Sequence, residues 1–273
     1  MTHTTRVLVP SFAALAIALP ACEFESASAA EMRMAVDEVV VSGQAASLED
    51  GVVEITTDFT LADGVHGIVE QVRGFVESQI PCSTIEAQGD HTLVIDFGAL
   101  EDTCEFRGRT FAGIVTVSYE VVGDEVVVTH DYAGITDGRA TLDGRAIVTW
   151  RDRSRHVVTD FEVEAPRGDF SSDSDRTQTR LGERGDGIVV VGERNWHGPR
   201  GDWHLEIEDV EMRAIDPVPQ DGSYVLTTAN GNEITMTFER IDDDTIEVVV
   251  SGGRRDRVFR VTSAGEVDDR GDV

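Results

Sequence analysis

The ten residues "NWHGPRGDWH", from Asn195 to His204, hold two of the three tryptophans and two of the seven histidines of a 273-residue chain. Imidazoles beside a carboxylate can bind a divalent metal or move protons, so His197, Asp202 and His204 are the candidate metal ligands. If Gly198-Pro199-Arg200-Gly201 forms a turn, His197 stands opposite Asp202, Trp196 opposite Trp203 and Asn195 opposite His204. Alternation then puts both indoles on one face of the ribbon and the polar residues on the other. A single hairpin supplies at most three ligands, and the twist of the ribbon spreads them. The expectation is a structural hairpin, with a metal or binding site as the alternative.

Other catalytic patterns are missing. No G-x-S-x-G, H-E-x-x-H or S-x-x-K run occurs, and no glycine-rich phosphate loop follows a strand and opens a helix. "SSDSD" lacks the glycine and spacing of a calcium loop, and "RIDDDT" at 240–245 reads as a hairpin loop. With 52 acidic residues, chance alone gives every histidine a carboxylate neighbour. His130 and His156 lie in strand-like runs and read as ordinary core or polar-face residues. No catalytic residue is assigned and no cofactor is expected.

The basic residues are all arginines, 23 against the 52 acids, for a net charge of -29. That charge repels phosphate backbones, and no basic patch interleaved with aromatics offsets it, so nucleic acid is not an expected partner.

The first residues, "MTHTTRVLVPSFAALAIALPAC", combine Arg6 with an apolar run from Val7 to Leu19 that is too short to span a bilayer. Leu19-Pro20-Ala21-Cys22 resembles the lipobox of bacterial lipoproteins, although Pro20 stands where that class usually has a small residue. The resemblance covers only these 22 residues. It implies cleavage before Cys22, lipid on that cysteine and anchoring in the cell envelope, where buried acyl chains at ~0.8 kcal/mol per methylene make a durable tether. The alternative is ordinary secretion with cleavage after Ala27-Ser28-Ala29. With Cys22 set aside, Cys82 and Cys104 form an even pair in a chain leaving the cytoplasm, which predicts a disulfide.

The elements that must position these residues follow from periodicity. Ser28 and Glu31 make a capping box for a helix at 29–47 with Met32, Val36, Val39, Val40 and Gly43 on one stripe. Val53, Ile55 and Phe59 suggest a strand between Leu48 and Thr60, with continued helix as the alternative. A second start at Thr60 opens a helix at 62–79 that Pro81 terminates.

From Ser83 the period drops to two, through ten or more strands. Gly123-Asp124, Asp137-Gly138, Asp143-Gly144 and Asn230-Gly231 separate them as hairpin turns. Alternation predicts one apolar and one wet face, and a register shift near Asp209 predicts a β-bulge. Residues 169–187 are polar on both faces, which marks an exposed hairpin or the weakest part of the sheet.

The expected architecture is mainly β: a large antiparallel meander with two N-terminal helices on its apolar face. Residues 1–21 are the signal peptide, 22–28 a tether, 29–262 one β-rich domain and 263–273 a flexible tail. Two functions fit this reading. One is a non-enzymatic envelope lipoprotein that binds or scaffolds, with the membrane as a partner through its lipid. The other is an extracytoplasmic hydrolase or metal-dependent enzyme whose site assembles from distant residues. A one-faced sheet under helices could also enclose a lipid, as the lipoprotein-transport chaperones do, which would need a cavity large enough for acyl chains.

Overall fold

A computed structural model describes residues 26–57, 64–102, 104–151, 154–182, 187–213 and 215–273. The signal peptide, Cys22, Phe59 and the Thr60 helix start lie outside the described residues.

Two helices, α1 (Ala29–Thr56) and α2 (Gly64–Gln79), precede the strands. These are β1 (Thr84–Ala87), β2 (Thr92–Asp96), β3 (Cys104–Phe106), β4 (Arg109–Val122), β5 (Glu125–Thr136), β6 (Thr141–Arg151), β7 (Ser154–Glu164) and β8 (Phe170–Arg180). The rest are β9 (Ile188–Gly198), β10 (Gly201–Met212), β11 (Asp221–Thr227), β12 (Glu233–Arg240), β13 (Thr245–Ser251), β14 (Arg257–Thr262) and β15 (Val267–Asp272). All pair antiparallel in one open sheet, each strand beside the next in sequence, except that β2 pairs with β4 and the short β3 pairs with β4 alone. Short turns leave no route to parallel pairing, so a meander is the outcome the turn chemistry dictates.

Burial alternates along the strands, clearest in β7, where Arg155, Val157, Thr159, Phe161 and Val163 are buried and the residues between them are exposed or nearly so. The bulge near Asp209 is present: register slips between Glu208 and Glu211, and Asp209 takes φ 45°. Cys82, after α2, is bonded to Cys104 at the start of β3, closing a loop of sequence separation 22. α2 lies against β1, β2 and β4.

In place of the strand expected between Leu48 and Thr60, the described part of that segment is helical: α1 continues to Thr56, nine residues past its expected end. The reason lies in its environment. From Glu38 to Thr56 every residue except Gln44 and Glu54 is buried, so the helix has no wet side and therefore no single apolar stripe to reveal its period. Gly43 allows the Pro217 carbonyl to come in where a Cβ would stand. The Ser28 hydroxyl caps the first turn by accepting from the Glu31 amide at 3.2 Å.

Four further expectations are corrected. Residues 263–273, expected as a flexible tail, include β15, which pairs with β14 and is tied to it by Arg257, ion-paired to Asp269 and Asp272. Asp143-Gly144, expected as a turn, lies inside β6, where Gly144 at φ 141° faces the Asp160 carbonyl too closely for any side chain. The polar stretch 169–187, expected to be polar on both faces, holds β8, which sits mid-sheet between β7 and β9. Its Ser174, Arg176 and Gln178 are buried. Ala27, placed in the tether, is itself buried and bridged to Gly253.

Candidate functional site

The hairpin of β9 and β10 has the expected register, with His197 opposite Asp202, Trp196 opposite Trp203 and Asn195 opposite His204. Both indoles are buried and stacked, ring centroids 6.1 Å apart with planes at 5°. The Trp196 indole N–H donates to Glu38 of α1 at 3.1 Å, and Arg200 in the turn pairs with the same carboxylate. The histidines face outward and take separate partners: His197 Nδ1 is 3.1 Å from Asp202, and His204 Nδ1 is 2.7 Å from the side-chain Oδ1 of Asn195. Among the described residues no three His, Cys, Asp or Glu side chains converge to hold a metal.

His130 is a core residue. Its Nε2 is 2.6 Å from the Thr56 hydroxyl, which already donates to the Val52 carbonyl. The hydroxyl therefore accepts from the imidazole. Burial, with Arg155 nearby, pushes His130 down to about 3, so it stays neutral. His156 lies on the wet face with Asp175 at 2.6 Å.

The convergent chemistry lies elsewhere, between the second half of α1 and the inner face of β7, β8 and β9. Glu49 and Asp50 of α1 enter a layer holding Arg155, Arg176, Gln178 and Arg194, all buried. Arg176 bonds Glu49 and the Ser174 hydroxyl, the latter at 3.0 Å. Gln178 donates to Asp50 at 2.8 Å, and Arg155 donates to Gln178 at 2.5 Å. Burial raises the Glu49 carboxyl against the pull of Arg176, and burial lowers Arg155 and Arg194. The inward positions of β8 are polar because they face acids on the helix.

This layer borders a cavity of about 310 Å³ at one end of the sheet. Its floor is the α1 stripe Ser47, Asp50, Gly51 and Glu54, spaced three and four apart as one helix face requires. Its apolar wall is Phe106, Phe111, Trp150, Ile188, Met212 and Ile215. Cross-strand register builds two rows of that wall: Trp150, Arg155 and Gln178 across β6, β7 and β8, and Arg180, Ile188 and Met212 across β8, β9 and β10. Five arginines, Arg107, Arg109, Arg155, Arg180 and Arg213, reach it. The Val and Ile residues of α1 join the same core cluster as those of the strands.

Alternation brought out the tryptophan pair, and the even cysteine count the disulfide, but neither pointed to this cavity.

Among the described residues no helix is long and apolar enough to cross a membrane. Comparison of the chain with protein-family models, with curated proteins and with solved structures finds no match.

Proposed function

We propose that the chain is a non-enzymatic binding module of the bacterial cell envelope, exported and tethered by lipid on Cys22, with its ligand site in the cavity at the end of the sheet. In this reading the meander curls around α1, both helices lie on its apolar face, and the rim left open forms the mouth of the site. The observation that carries the proposal is the cavity itself. It falls at the lower end of the ~300–1,000 Å³ range of small-molecule sites and combines an apolar wall with a few oriented polar groups, which is what such sites need. The Cys82–Cys104 bond supports export. Leu19-Pro20-Ala21-Cys22 supports the anchor.

The test uses the neutral fluorophore N-phenyl-1-naphthylamine titrated into the purified full-length chain. One molecule is expected to bind per chain with enhanced emission. Ile188→Trp, which adds an indole to the half-buried wall, is expected to abolish the signal while thermal melting stays cooperative. An unchanged titration in Ile188→Trp would show that the cavity is not the site.

A further inference from the structure

The cavity reverses the charge balance of the molecule. The chain as a whole has more than two acids for each arginine, yet five guanidiniums and only two carboxylates, Asp50 and Glu54, line this cavity. Two more acids hold lining arginines in place: Asp137 lies 3.6 Å from Arg109 and Asp216 lies 2.9 Å from Arg213. Asp216 is shared with Arg240 and Asp50 with Arg176, so among the described residues the guanidiniums outnumber the carboxylates around the cavity.

The arginines are also held in place without being exhausted. Arg107 pairs with Glu54, and Arg109 bonds the carbonyl and hydroxyl of Ser47. Arg155 gives one hydrogen bond to Gln178, stands 3.8 Å from Asp50 and lies over the Trp150 ring at 5.8 Å. A guanidinium carries five N–H donors in a rigid fork, so one or two contacts fix its plane and leave donors over. Arg180 is exposed, stands in register with Ile188, and has no carboxylate within 4 Å among the described residues. An apolar wall around such donors lowers the local dielectric and strengthens their pull on an opposite charge.

We propose, resting on the reading of the cavity as a ligand site, that its ligand is a small monoanion with an apolar, ring-sized body. The carboxylate or sulfonate end meets Arg180 and Arg155, and the body lies along Trp150, Ile188 and Met212. A cation is repelled by the surplus charge. A polyanion brings further negative charge against Asp50 and Glu54.

The experiment compares two fluorescent probes that share the N-phenylnaphthylamine frame, the anionic 8-anilinonaphthalene-1-sulfonate and the neutral N-phenyl-1-naphthylamine. Both are titrated into the full-length parent and into Arg180→Glu, whose site on an exposed strand end leaves folding intact by circular dichroism. Reversing this charge is expected to weaken the sulfonate about tenfold, the loss of one charge-assisted contact, and to change the neutral probe less than about twofold. If both probes weaken alike, or neither changes, the anion preference is overturned while the cavity remains a ligand site. If neither probe binds the parent, the ligand-site reading fails, and this proposal fails with it.

Discussion

Four residues alternate along the β9–β10 hairpin, and the side of the sheet each one faces decides its worth. Trp196 and Trp203 are buried, Trp196 bonded to Glu38 of α1, whereas His197 and His204 stand half in solvent. Trp196→Ala or Trp203→Ala is therefore expected to destabilise the fold by about 3 kcal/mol or more, because a large apolar side chain is lost and a cavity opens. His197→Ala and His204→Ala are expected to stay within about 0.5 kcal/mol, as exposed polar contacts do. Urea melts of the four variants check this, and an added-zinc arm tests the metal alternative directly. A zinc-dependent gain in stability lost in the histidine variants would restore a metal site. The facing of these residues was legible in the sequence because a tight turn and strict alternation are local properties. The partner of Trp196 was not, since Glu38 lies 158 residues away along the chain.

At the scale of elements, α1 and β8 explain each other. Each misleads when read alone: α1 has no clean stripe because it is buried almost all round, and β8 looks solvent-exposed because its inward residues are polar. Together they form a buried ion pair, Arg176 with Glu49, at 1% and 2% side-chain exposure. Breaking such a pair from one side strands a charge in the core, so Glu49→Gln or Arg176→Met is expected to cost about 3–5 kcal/mol. Replacing both, as Glu49→Leu with Arg176→Met, is expected to recover most of that loss, because the desolvation cost disappears with the charges. A double-mutant cycle by chemical denaturation measures the coupling. Additive losses would mean that the pair does not hold α1 to β8. The bonds from α1 to distant parts of the sheet run along its length. Glu31 accepts from Thr228 and Asn232 near its start, and Tyr119 donates to the Thr56 carbonyl at its end.

At the scale of the molecule, one sheet edge and the net charge both oppose association with other chains. The edge strand β15 carries Asp268, Asp269, Arg270 and Asp272, charges that discourage edge-to-edge pairing with another chain. The net charge of -29 adds long-range repulsion. Only four residues separate Cys22 from Ala27, where the chain is pinned to Gly252 and Gly253. An anchored domain would sit within about 18 Å of its lipid. Intact mass spectrometry of the membrane fraction is expected to find a mature chain beginning at acylated Cys22. An unmodified start at Ala30 would replace the anchor with plain secretion.

The sequence by itself determined the meander, its wet and dry faces, the bulge near Asp209, the cysteine pair and the facing of the tryptophan hairpin. Each of these follows from residues near one another in sequence or from a period of two repeated many times. Only the tertiary structure decided that residues 48–56 are helix, that 267–272 pair as a strand and that the polar positions of β8 point inward. It also decided that Asp50, Arg155, Arg180 and Trp150 border one cavity. Those outcomes depend on which distant group each side chain meets. A helix shielded on all sides, or a buried arginine matched to a carboxylate more than a hundred residues away, owes its energy to the partner's position and not to its own sequence neighbours.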